Sequence, residues 1–178
     1  MANTNDPNGF TPAYHLTGGT IRPAQMRIAS ATNASIFSGD VVNLSSGYII
    51  QGTATGAPVG VFAGVYYEAS DGTPTFAKHW TADTATLGSV DAKAYIYNDP
   101  DIVYEAQFTA GTPAVSFIGN KYTLSTTSGS TSTGRSAEGV TATTSSGVAL
   151  CVGFVDTPSN SIGASARAFF RFPANPFE

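Results

Sequence analysis

Short apolar runs alternate with turn signals along the whole chain, a pattern that predicts strands. Residues 25–29 and 41–44 read as strands, the second entered through Gly39-Asp40. Residues 47–51 follow Ser45-Ser46 closely enough to close a hairpin. Residues 59–67 are almost wholly apolar, which predicts a strand buried on both faces. Gly60 and Gly64 within it signal a bulge or a close approach of another backbone. The turn Ser70-Asp71-Gly72 leads to a hairpin partner at residues 75–80. Residues 92–97 and 102–108 flank Asn98-Asp99-Pro100-Asp101. In the second of these, Ile102, Tyr104, Ala106 and Phe108 share one parity and Val103, Glu105 and Gln107 the other, the alternation of a half-buried strand. A short helical turn is open near residues 118–122. Residues 125–136, almost pure Ser, Thr and Gly, read as a long exposed loop. Residues 148–155 and 164–172 supply the last strands.

Roughly nine or ten short strands at this spacing predict an all-β domain over residues 25–172, an antiparallel barrel or sandwich, jelly-roll-like. Before it, residues 1–24 carry Pro7, Pro12, Pro23, Asn8-Gly9 and Gly18-Gly19, which forbid a helix and interrupt any long strand. Phe10, Tyr14, Leu16 and Ile21 are nevertheless spaced through this leader as apolar anchors. It reads as an extended arm that docks on another surface. The tail, residues 173–178, ends in Pro-Phe-Glu and reads as a second candidate contact segment.

The energetics of such an arm are restrictive. Extended, residues 2–23 span roughly 70 Å. Four anchors gain ~1.5–3 kcal/mol each on full burial. Ordering the backbone costs ~1–2 kcal/mol per residue, which is more than that sum. The arm therefore needs strand hydrogen bonds to a sheet edge, or several arms acting together in one oligomer.

Composition narrows the function. Hydrophobic residues make up 42% of the 178 and charged residues 11%, with a net charge of −4. The charged share is under half of the usual ~25%, so Ser, Thr, Asn and Gly supply the surface polarity. The Lys and Arg residues are scattered, whereas nucleic-acid binding needs a basic stripe. No apolar run reaches the ~18 residues of a membrane span. No basic region followed by an apolar stretch opens the chain, so synthesis in a cytoplasm is expected. The single cysteine, Cys151, lies in an apolar run and reads as a small core hydrophobe.

Candidate chemistry is sparse. The histidines are His15, in the leader, and His79, beside Trp80. Neither sits in a pattern that activates a nucleophile, and no Gly-x-Ser-x-Gly elbow exists. Asp99, Asp101 and Glu105 could hold a hard cation or act as an acid–base pair, but Asn-Asp-Pro-Asp between strands is more simply turn chemistry. Tyr66, Tyr67 and Trp80 could form a sugar-stacking platform, although aromatics in β-rich chains more often fill a core or a subunit seam. No enzyme activity, cofactor or bound metal is expected.

Several segments resemble a known family. They are Asn8-Gly-Phe-Thr-Pro with His15-Leu-Thr-Gly-Gly-Thr-Ile-Arg-Pro23, Ile36-Phe-Ser-Gly-Asp-Val-Val42 and Gly60-Val-Phe-Ala-Gly-Val-Tyr66. Phe76-Ala-Lys-His-Trp80, Ala94-Tyr-Ile-Tyr-Asn-Asp-Pro100 and Ser132-Thr-Gly-Arg-Ser136 extend the likeness. Together they resemble the decoration, or cement, proteins of tailed-bacteriophage heads. The resemblance implies a non-enzymatic virion protein on the outer capsid surface. Its partners would be the major capsid protein and further copies of itself, often as a trimer. On this reading Phe10, Tyr14, Leu16, Ile21 and Arg22 are the expected capsid contacts. Phe62, Tyr66, Tyr67 and the tail residue Phe177 are the expected oligomer seam. The rival expectation is a carbohydrate- or host-receptor-binding module of a phage tail or fibre, with Trp80 at its centre.

Overall fold

Ile102, Tyr104, Ala106 and Phe108 all enter one core, as their shared parity predicts. They lie on one strand of a computed structural model that describes residues 3–144 and 146–176. The strands in chain order are β1 (Thr11–His15), β2 (Ala24–Ile28), β3 (Ile36–Phe37), β4 (Val41–Ser45) and β5 (Tyr48–Gln51). Next come β6 (Gly60–Glu68), β7 (Pro74–Ala77), β8 (His79–Trp80), β9 (Ala92–Tyr97) and β10 (Ile102–Ala110). The last are β11 (Lys121–Tyr122), β12 (Leu124–Ser125), β13 (Gly139–Thr141), β14 (Ala149–Phe154) and β15 (Arg167–Arg171). Helical structure among the described residues is confined to two 3₁₀ turns, Leu87–Ser89 and Val115–Phe117. None is long or apolar enough to cross a membrane.

The protein is all-β. One sheet runs β11-β14-β15-β10-β13-β12, with β1 also on β10. A second runs β2-β9-β6-β4-β5, with β7 on β6. The two ends of that second path, β2 and β5, approach each other, so the sheet is nearly closed into a barrel. A short β3–β8 pair completes the set. All named pairs are antiparallel except β10–β13, which is parallel.

Each large sheet has its own core. The barrel encloses Ile28, Val42, Ile49, Phe62, Trp80 and Ile96, among others. The other sheet gathers Phe10, Tyr104, Phe108, Tyr122, Phe170 and their neighbours. The cores meet at the starts of β4 and β6. Val41 and Val61 face one of them, Val42 and Phe62 the other. Double burial at this junction explains the unbroken apolar run at residues 59–62. Both glycine signals in β6 have a physical cause. A Cβ on Gly60 would fall on the Tyr97 carbonyl, and the β6–β9 register slips between Phe62 and Gly64.

The leader is not a free arm. β1 pairs with β10, Thr11 opposite Glu105 and His15 opposite Ile102, with an irregularity between Pro12 and Tyr14. A proline is tolerated there because β1 is an edge strand. The sheet edge that the arm requires energetically is therefore present in its own chain. Phe10 is 1% exposed and packs on Phe172, ring centroids 5.3 Å apart. Upstream, the Asp6 amide donates to the Gln107 side chain, whose Nε2 donates to the Thr4 carbonyl. The division into a separate arm at 1–24 and a domain starting at 25 is corrected accordingly: residues 3–16 belong to the fold. The tail is tied in as well. Asn175 Nδ2 donates to the carbonyls of Asn98 and Val59.

Two smaller expectations also change. The 3₁₀ turn forms at Val115–Phe117 rather than near 118–122. The Ser/Thr/Gly tract folds back on itself, with Gly134 buried and its carbonyl accepting from the Ser38 amide.

Candidate binding surface

The groups with the best claim to catalysis are held in structural roles. Cys151 is buried in the core, and that burial pushes its thiol up to about 11, so it is not a poised nucleophile. His79 stacks on Phe37 at 5.6 Å, rather than on Trp80. His15 Nε2 lies 3.1 Å from Asp99 Oδ2, and its Nδ1 accepts from the amides of Thr17 and Gly19. A nitrogen that accepts carries no proton, so the ring proton sits on Nε2 and points at Asp99.

That tautomer bears on the possible metal cluster. Ligand atoms of His15, Asp99 and Asp101 lie within 4.8 Å of one another. A cation there would have to displace the Nε2 proton, while Nδ1 is already engaged. Asp99 Oδ1 accepts the Asp101 amide at 2.9 Å, and Asp101 faces Arg171 at 3.8 Å. Glu105, the third carboxylate of the sequence reading, pairs with Arg167 at 2.9 Å instead. The Asp-Pro-Asp stretch is an Asx turn that also fastens the end of β1. The Asp101 amide, and after it His15, holds the Asp99 carboxyl below the ordinary carboxylate range.

A different feature lacks a structural explanation within the chain. Phe76 on β7 is 75% exposed. It stands opposite Tyr66 on β6, which stands opposite Lys93 on β9, which stands opposite Arg27 on β2. Cross-strand pairing thus lays Phe76, Tyr66, Lys93 and Arg27 in one row over the outside of the barrel. The Tyr66 and Phe76 rings lie 4.6 Å apart, tilted by 43°. Lys93 Nζ sits 5.6 Å from the centroid of the Tyr66 ring, a cation–π contact. Val90, 69% exposed, and Leu87 add apolar surface beside the row. A shallow groove of about 190 Å³ runs between Tyr66, Tyr67, Leu87, Val90 and Lys93.

The residues singled out from the sequence fall into separate groups. Tyr66 belongs to the exposed row. Tyr67, the next residue, is half-buried with its ring edge-on to Trp80 at 5.4 Å. Phe62 is 1% exposed in the barrel core, so it cannot form an oligomer seam. Trp80 is fully buried and cannot serve as a sugar platform. Phe10, deep in the other core, cannot touch a capsid. Tyr14, Leu16 and Arg22 are exposed, while Ile21 is partly buried against the core of the larger sheet. Phe177 lies outside the described residues. Phe76, Lys93, Leu87 and Val90 were not expected from the sequence. The available signal was Phe76 itself, an aromatic in a short hairpin strand whose other parity carries Ala77.

No protein-family model, curated protein or solved structure matches the chain.

Proposed function

We propose that the chain is a structural virion protein that sits on the outer face of a tailed-phage capsid and clamps adjacent major capsid subunits. It acts as a homo-oligomer, with a trimer the expected form. The observation that carries this reading is the exposed row of Phe76 and Tyr66 beside Val90 and Leu87, on a weakly charged β surface. Contiguous apolar surface of this kind marks a contact site. This row is assigned to contacts between copies, and the exposed leader side chains Tyr14, Leu16 and Arg22 to the capsid. Because the leader is an integral strand, capsid contact uses its outward face and not an unfolded arm.

The test uses the full chain. Sedimentation should show an oligomer that dissociates on Phe76→Ser with Val90→Ser. Adding the protein to particles that lack it should restore resistance to heat or low salt, and Tyr14→Ser with Leu16→Ser should weaken that uptake. A monomer with no affinity for any capsid overturns the reading.

A carbohydrate- or receptor-binding module is the second reading, favoured by the groove beside Tyr66, which has Glu68, Asp91 and Lys93 at its rim. It predicts that Phe76→Ser removes glycan affinity while the association state stays unchanged.

A further inference from the structure

Asp40 and Glu138 are fully buried, and among the described residues neither forms an ion pair. Each uses one carboxyl oxygen on a backbone amide. Asp40 Oδ2 accepts from Phe37 and Glu138 Oε2 from Val41, both at 2.8 Å. The other oxygens, Asp40 Oδ1 and Glu138 Oε1, are buried without a hydrogen-bond partner. Two ionised carboxylates left so would repel each other in a medium that screens poorly. The Ser136 amide donates to the Ser38 carbonyl and the Val41 amide to Glu138, so residues 136–138 run beside residues 38–41 and bring both acids to one place, where a retained proton relieves the repulsion.

The backbone that carries these two carboxyls is also the seat of the leader. The Gly9 amide donates to the Glu138 carbonyl at 3.1 Å, and the Phe10 amide to the Gly39 carbonyl at 2.8 Å. The Glu138 amide donates to Ser136 Oγ at 2.9 Å. Gly9 has φ +74°, and a Cβ on it would collide with Ser136 and the Gly39 carbonyl, so the fit leaves no slack.

We propose that Asp40 and Glu138 share one proton and that this proton locks residues 8–10 of the leader onto the fold. Its loss in alkaline solution leaves two like charges near one another in the interior and loosens the leader at that point. Burial supports this by pushing Asp40 up to about 6 and Glu138 up to about 9, the charge of Asp40 adding to the rise of Glu138. The ionisable side chains on the surrounding segments are Asp6 on the leader, Arg135 beside Ser136, Lys78 between β7 and β8, and His79 on β8. Further out are Glu68 on β6 and Glu105 on β10, the latter paired with Arg167. None of these hydrogen-bonds to either acid among the described residues.

Linkage sets the size of the effect. On this proposal the opening of residues 8–10 admits water to Glu138, whose carboxyl then falls toward its ordinary value and releases the proton. Between pH of about 6 and 9 the opening equilibrium therefore rises tenfold per pH unit. Amide exchange at Gly9 and Phe10, expressed as protection relative to the free peptide, should fall by that factor in the unaltered chain. It should stay flat in Glu138→Gln, whose amide mimics the protonated acid. Parallel profiles in the two proteins overturn the shared proton. Protection at Gly9 and Phe10 as high as at Ile96, inside the barrel, overturns the local lock, because all three would then report unfolding of the whole chain. An infrared measurement needs no variant. The carbonyl band of a protonated carboxyl should be present at pH 7 and gone by pH of about 10, and its absence at pH 7 also sinks the proposal.

Discussion

At residues 8–10 the leader rests on acids sealed from water. Further along, His15 ties it to Asp99, whose side chain is 44% exposed. Asp99 takes a donor on each oxygen, from Asp101 and from His15, and is held below its ordinary range. Glu138 has one donor, a like-charged neighbour and no solvent, and is held far above. The same functional group thus responds to pH in opposite directions along one strand entry. Asp99 contributes stability above the carboxylate range, and this is lost as pH falls through its depressed value. Glu138 favours the fold most at low pH, and that advantage declines from its ordinary value of 4.5 up to about 9. Access of water and the count of donors decide the sign.

The strongest challenge to this comparison removes the anchor between the two sites. Phe10→Ala should cost about 3–5 kcal/mol in denaturant unfolding, as for other large core truncations. A cost below about 1 kcal/mol would mean that the leader is peripheral after all. A middle-sized effect comes from the sealed site. Ser136→Ala strips the acceptor from the buried Glu138 amide and should cost about 1–3 kcal/mol, read in the same titration. The smallest sharpens the contrast. Asp99→Asn keeps the Asx turn but loses the carboxylate that His15 and the Asp101 amide favour, so stability at pH 7 should fall slightly and the two proteins should converge in acid. Its acid limb should be flatter than that of the unaltered chain, because the depressed carboxyl is gone. If both proteins lose stability equally on acidification, Asp99 is not the group that titrates.

The barrel gives a second contrast, between adjacent residues of β6. Tyr66 and Tyr67 are chemically alike and differ only in parity. One joins the exposed row with Phe76, the other leans on the buried Trp80. Alternation along the chain announces that the two point apart, and leaves open which of them faces water. Phe62 is no seam residue for the same reason. Its segment is apolar on both faces, and both faces turned out to be core at that end of the strand. Phe10 is buried for a different reason. A stretch with Pro7, Pro12 and Gly9 breaks every local rule for a strand, yet an edge position on β10 needs only a few backbone bonds. Nothing in the leader alone shows that its own chain supplies that edge.

Local order is what the chain states on its own. Runs of β-branched and aromatic residues between turn pairs announce β2, β4 to β10, β14 and β15, because side-chain alternation and turn chemistry act over a few neighbouring residues; β1 and the short β3, β11, β12 and β13 carry no such local signal. The buried fate of Cys151 and the turn at Asp99 were legible for the same reason. Tertiary contact decided the rest: the docking of β1, the near-closure of the barrel, the row across β7, β6, β9 and β2, and the meeting of Asp40 with Glu138. Those features join residues far apart in the chain. Their energies depend on burial and on partners that no local window contains.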